Sequence, residues 1–337
     1  MKNKDIIKKH AKEFIKNFIL FIILMLVAFL SFSRLIHKDK SDSKQNDSTD
    51  ETEIFLAEQI EDKVKSIEER YECIHIICNE LLSDELSNKD YSFTYEISNN
   101  ERKKLIALEK IDTILERLPD NIFEEALDLY GGKFREKYSE YSKDEFDEFF
   151  PPYNKINIVL CSEIKKGKSD GVYTGGMTCI DNNNIVDIFI SIKYPEYIER
   201  CFAHELYHFF FKRIDMQAIV LDVYIGKEWN SELPKDYEYY GSKTNLKGVP
   251  YTVKTEEDIN NVYFVTEYSQ TNIKEDRAEI FSYLLSTDED EELPKAYESP
   301  HVRNRALMII REFDECYDTV DENAYWNRIF EEKTSGQ

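Results

Sequence analysis

Apolar residues recur at helical spacing in IFLAEQIEDKVKSIEERY, where Ile54, Leu56, Ile60, Val64 and Ile67 fall along one side. The spacing returns in ERKKLIALEKIDTILERL through Leu105, Leu108, Ile111, Ile114 and Leu115, and Pro119 follows to stop that helix. NIFEEALDLYGG predicts a third, short helix ended by Gly131. Runs of a different kind lie between and after these. CIHIIC (73–78), INIVLC (156–161) and IVDIFISI (185–192) are short and apolar, which predicts buried strands. GVYTGGMTCI (171–180) predicts another strand, weakened or bulged at Gly175-Gly176, with a DNNN turn after it. Pro195 suits the first turn of a helix that carries EYIERCFAHELYHFFFKRI. A polar, Tyr-rich insert (213–262) and more helices follow. This order predicts an α+β domain over 54–337, a mixed sheet with helices packed on it.

The N-terminus has another pattern. MKNKDIIKKHAKEFIKN carries six lysines and feeds the apolar run Phe18 to Phe32. As a helix that run rises roughly 22 Å, slightly short of a bilayer core of about 30 Å. Phe14 and Ile15 lengthen it by a turn, and Lys16 can snorkel to the headgroups. The expected organisation is a basic cytoplasmic stub (1–13), an uncleaved transmembrane anchor (14–32) and a flexible polar linker (33–53). A cleaved signal sequence is the alternative for 14–32. In either case the bulk of the chain lies outside the cytoplasm, on a single-pass membrane protein or a secreted one.

Charge narrows the partners. The 67 acidic residues exceed the 44 basic ones, for a formal net charge of −23. Such a surface repels phosphate backbones, so nucleic acid is not an expected partner. The six cysteines, Cys73, Cys78, Cys161, Cys179, Cys201 and Cys316, contain no CxxC pair. That argues against a zinc ribbon or a thioredoxin-type site.

The candidate chemistry lies in CFAHELYHFFF (201–211). His204 and His208 are four apart, so on a helix they share a face and can offer two imidazole nitrogens to one Zn²⁺. Glu205, rotated about 100° around the axis, stays out of the inner shell and can reach a metal-bound water as general base. The competing reading is a pair of histidines satisfied in a core. Cys201 is three residues before His204, but a cysteine there cannot share an ion with His208, about 10.5 Å along the axis. A third ligand is needed to leave one position open. His10 and His37 flank the membrane segment, His75 lies on an early strand and His301 follows a Ser-Pro loop. The better candidate is YSQTNIKEDRAEIF (268–281), where Thr271 or Asn272 caps a helix. Glu275 and Glu279 then stand on one face, where like charges repel unless a cation or an imidazole N–H meets them. A capping box from Asn272 to Glu275, with Glu279 solvated, is the alternative.

HExxH followed by Glu275-x-x-x-Glu279 resembles the gluzincin pattern of thermolysin-like zinc metallopeptidases. The stretch from Tyr268 to Glu279, with FVTEY before it and Trp229-x-x-x-Leu-Pro234 upstream, is similar to the catalytic domain of anthrax toxin lethal factor and related exported bacterial zinc-binding metallopeptidases. The resemblance implies a zincin-like fold with a helical C-terminal subdomain, one catalytic zinc and a peptide or protein substrate. It implies His204, His208 and Glu275 as metal ligands, and Glu205 as general base. It makes Glu279 a carboxylate orienting a ligand histidine, and Tyr268 a donor to the oxyanion. Glu275 and Glu279 can exchange roles on spacing alone, and Tyr263 and Tyr251 are rivals of Tyr268. It also gives the strand in GVYTGGMTCI a role as the edge that pairs with an extended peptide. A catalytically inactive zinc-binding module for cell-surface interaction or signalling keeps the same ligands and is the alternative function.

Overall fold

The computed structural model describes residues 46–334 apart from 80–85, 87–88, 90, 131–134, 137–141, 150, 168–171, 182, 221–225, 242–251 and 254–258. The stub, the apolar segment 14–32 and the first part of the linker lie outside the described residues. Among those described, no helix is long and apolar enough to cross a membrane. The chain divides into two units, 1–55 and 56–337, and the second holds the candidate site.

The first helix, α1 (Asn46–Arg70), starts inside the expected linker. Residues 46–53 contain no Gly or Pro, so nothing local breaks a helix extended N-terminally from the apolar stripe. The strand β1 (Ile74–Ile77) follows. Next comes β2 (Phe93–Ile97), which the sequence reading omitted although FTYEI alternates with period two. Helix α2 (Glu101–Glu116) is capped by Asn100, whose side chain accepts from the Lys103 amide. Helix α3 (Ile122–Leu127) ends at Asp128, before the expected stop at Gly131, which lies outside the described residues. A short α4 (Lys143–Phe149) precedes the main strand, β3 (Lys155–Lys166). GVYTGGMTCI divides into β4 (Val172–Tyr173) and β5 (Gly176–Ile180), with the break at the Gly pair. After β6 (Ile185–Ser191), Pro195 opens a 3-10 turn that leads into α5 (Ile198–Val220). Residues 213–220 therefore belong to this helix and not to the insert. Arg213 shows why: it is buried and donates to the carbonyls of Asp128 and Cys316. Then come α6 (Gly226–Ser231), α7 (Ile273–Ser286), α8 (Pro300–Cys316) and α9 (Tyr325–Thr334).

The six strands form one mixed sheet, in the order β1-β3-β6-β5, with β2 and β4 also paired to β3. β1 and β6 run parallel to β3, while β2, β4 and β5 run antiparallel to their partners. Both faces are covered, so the central strands read as continuous apolar runs. Ile156, Ile158 and Leu160 of β3, with Val186, Ile188 and Ile190 of β6, join the larger core with α2, α5 and the C-terminal helices. Val159, Cys161 and Phe189 point the other way, into a smaller core with Phe93 and Ile77. Asp187 on β6 is fully buried, and it is satisfied by Lys89, Tyr91 and Asn157. Phe281 and Phe313 stack, and Trp326 packs tilted against both, where α7, α8 and α9 meet. The result is that α5 is held between the sheet and the C-terminal helices, with β5 as an edge strand beside it.

Candidate metal centre

Two helices bring the candidate side chains together. His204, Glu205 and His208 lie in the first half of α5. Asn272 caps α7, accepting from the amides of Lys274 and Glu275, which sets the phase of its first turn. Glu275 and Glu279 then face α5 one turn apart. Glu275 Oε2 stands 3.0 Å from His204 Nε2 and 3.3 Å from His208 Nε2, and the two Nε2 atoms are 3.1 Å apart. These three residues form a cluster that could hold a metal ion. Its spacing supports that fit. Donors about 2.0–2.1 Å from a tetrahedral Zn²⁺ stand about 3.3 Å from one another. Two imidazole lone pairs facing each other at this distance repel unless a proton or a cation lies between them.

Glu279 meets the other nitrogen of the same ring. His204 Nδ1 lies 2.9 Å from Glu279 Oε1, a pairing that would leave Nε2 to face a bound cation. Thr266 donates its hydroxyl to Glu279 Oε2 at 2.8 Å and holds that carboxylate in place. Burial opposes charge on His204, but Glu275 and Glu279 outweigh it and push its pKa up to about 10. Burial likewise raises the Glu275 carboxyl, yet the two imidazoles hold it well below its usual range. The site thus favours positive charge at its centre, as a cation site must. Replacing Glu279 by Ala is expected to lower zinc affinity by roughly 10–100-fold, measured by competition with a chelating dye. An unchanged affinity would leave Glu279 without an orienting role.

Glu205 projects towards β5. Thr178 on that strand donates its hydroxyl to Glu205 Oε2 at 2.8 Å, and Thr178 Oγ1 also lies 3.0 Å from the Glu205 carbonyl oxygen. The strand comes this close only because residue 176 is glycine. A Cβ there would stand 2.6 Å from Glu205 Cγ, and one at Gly175 would stand 2.6 Å from Cys201 Sγ. Gly176, which reads as a weakness in the strand, is thus what admits β5 onto Glu205. Thr178 and Thr266 escaped the sequence reading. A threonine beside a Gly pair, and FVTEY before the second motif, were the only signals.

Tyr268 lies on a 3-10 turn just before α7. Its ring centroid is 6.0 Å from that of His204, and Lys166 Nζ donates to its hydroxyl at 3.3 Å. Burial, with the charges of Glu275 and Glu205, raises its pKa far above the ordinary tyrosine value, so the hydroxyl stays protonated. Of its rivals, Tyr263 stacks on His301 with ring centroids 4.2 Å apart, and Tyr251 lies outside the described residues. The other described histidines are engaged elsewhere, His75 with Glu68 and His301 with Glu232. His10 and His37 lie outside the described residues. Cys201 lines the neighbouring cavity, but burial pushes its thiol up to about 12, which disfavours the nucleophilic thiolate. None of the six cysteines is in a disulfide.

A cleft of about 410 Å³ opens on the cluster, lined by Gly176, Thr178, Glu205, His208, Tyr268 and Glu275 among others. Among the described residues, β5 pairs with β6 on one side and with no strand on the other, so its outer edge is available along this cleft.

No family profile matches the chain, and no curated protein matches it. One solved structure that does match is described as a "putative zinc-binding metallo-peptidase" from Bacteroides caccae. It is 12% identical, with 83% of this chain and 92% of that chain covered and a TM-score of 0.41. At that level of likeness, the reading of this chain rests on its own geometry. The resemblance to the lethal factor catalytic domain stays a sequence expectation, carried by the two motifs.

Proposed function

We propose that this protein is a zinc-dependent endopeptidase that acts outside the cytoplasm, on a membrane anchor or after export. The observation that carries the proposal is the approach of His204, His208 and Glu275 at the edge lengths of a zinc tetrahedron, with Glu205 beside them under a strand edge. His204, His208 and Glu275 would hold the ion, and Glu279 would orient His204. A bound zinc supplies a Lewis acid for the scissile carbonyl and acidifies a water.

The chain's own groups do the rest. An extended peptide pairs with the free edge of β5, which needs backbone and no particular side chain. That pairing lays the peptide across Glu205, His208 and Tyr268. Glu205 takes a proton from the attacking water and hands it to the leaving amine. Thr178 holds one oxygen of that carboxylate, fixing its aim. Tyr268, kept protonated by its surroundings, donates to the developing oxyanion.

The test combines metal analysis of the purified protein with digestion of a peptide library. One zinc per chain, with cleavage abolished by a chelator and restored by added zinc, supports the proposal. Cleavage indifferent to the chelator would sink it. Tyr268→Phe is expected to lower kcat by roughly 10²-fold with little change in KM, since its hydrogen bond strengthens only as the oxyanion forms. A change confined to KM would make Tyr268 a substrate-packing residue instead.

A further inference from the structure

The chain is strongly acidic, yet the cleft at the candidate site is not. Three lysines line it, Lys166, Lys212 and Lys274, against two carboxylates, Glu205 and Glu275. The carboxylates have other partners: Glu275 faces the imidazoles and Glu205 accepts from Thr178. The lysines do not neutralise them. Lys166 donates only to the Tyr268 hydroxyl, and neither Lys212 nor Lys274 has a side-chain partner among the described residues. All three are exposed. The chain as a whole carries 67 acidic residues against 44 basic ones, so a lysine excess at this cleft runs against its overall charge.

Their positions tie them to the site. Lys212 is one helical turn beyond His208 on α5. Lys274 immediately precedes Glu275 on α7. Lys166 ends β3 and reaches the Tyr268 hydroxyl. Three elements therefore bring an ammonium group to the same opening. Met177, Ile180 and Phe211 share the walls with them, and low-dielectric walls strengthen the field in such a cleft. A divalent cation held by His204, His208 and Glu275 would add further positive charge.

We infer that this cleft selects acidic peptides, with substrate carboxylates meeting Lys212, Lys274 and Lys166 on the His208 side of the scissile bond. This rests on the peptidase reading for its setting, but recognition can be measured without turnover.

The experiment uses the full-length protein, in mild detergent and loaded with zinc, carrying Glu205→Gln. Fluorescent peptide libraries of equal length, enriched in Asp/Glu, in Ser/Gln or in Lys/Arg, are titrated by anisotropy. The acidic library is expected to bind roughly tenfold tighter than the neutral one, with the gap shrinking at high salt. In the double variant Lys212→Glu/Lys274→Glu the order should reverse; both side chains are exposed, so the fold should survive. Equal binding of the three libraries, or an unaltered order in the double variant, overturns the inference. If acidic peptides bind but the wild-type protein cleaves no library, the recognition stands and the peptidase reading falls.

Discussion

Glu205→Gln is expected to lower peptide turnover by roughly 10²–10⁴-fold while zinc content stays at one per chain. The amide keeps the shape of the side chain and can still bond Thr178 Oγ1, which contacts Glu205 Oε2 at 2.8 Å in the parent. It cannot take a proton from water. The cluster that could hold the metal does not include residue 205, so its three donors are expected to keep their positions. The measurement pairs metal analysis with turnover of a cleaved peptide. This substitution separates the peptidase from a zinc-binding module without turnover. For such a module, every functional readout would be the same in the variant. Loss of zinc in the variant would place Glu205 among the ligands and contradict the proposed mechanism.

The second large effect is on stability. Asp276, between Glu275 and Arg277 on α7, is fully buried, and so is its ion-pair partner Arg305 on α8. Trp229 Nε1 and the Tyr239 hydroxyl also donate to Asp276 Oδ2, at 3.2 and 2.9 Å. Burial pushes the Asp276 carboxyl up to about 6, with Arg305 working against that rise. Arg305→Ala removes the guanidinium ion-paired with this carboxylate and is expected to cost about 3–5 kcal/mol, read as a lower midpoint of urea unfolding. Adding Asp276→Asn should recover much of that loss, since no buried charge is then left unpaired. A loss below about 1 kcal/mol, typical of exposed pairs, would show that water reaches the pair. Because Asp276 adjoins Glu275, the single variant is also expected to hold zinc less tightly.

These two predictions rest on residues that were unequally legible. HExxH names Glu205 at sight, because four-residue spacing on a helix fixes which side chains share a face. Asp276 and Arg305 are 29 positions apart and show no local pattern. Trp229 stood out only as part of a W-x-x-x-L-P resemblance. Its burial against Arg277 and Arg305, with guanidinium carbons 4.6 and 5.1 Å from its ring, belongs to the packing of the insert on α7. The strands of the central sheet were legible as apolar runs, while β2 was passed over because its polar outer positions dilute the signal. At the other end, residues 46–53 have the composition of a tether and lie on the helix Asn46–Arg70.

The amino-acid sequence by itself determined the helix bearing His204, Glu205 and His208, the capped start of the helix bearing Glu275 and Glu279, and the apolar strands between. Each of these follows from short-range rules, the helical and strand periods and the chemistry of a cap. Only the tertiary structure decided that Glu275 meets both imidazoles while Glu279 takes the far nitrogen of His204, that Gly176 admits β5 onto Glu205, and that three lysines converge on one cleft. Those facts depend on the crossing of α5 and α7 and on the register of an edge strand. Such arrangements are set by the packing of residues far apart along the chain, which no local spacing encodes.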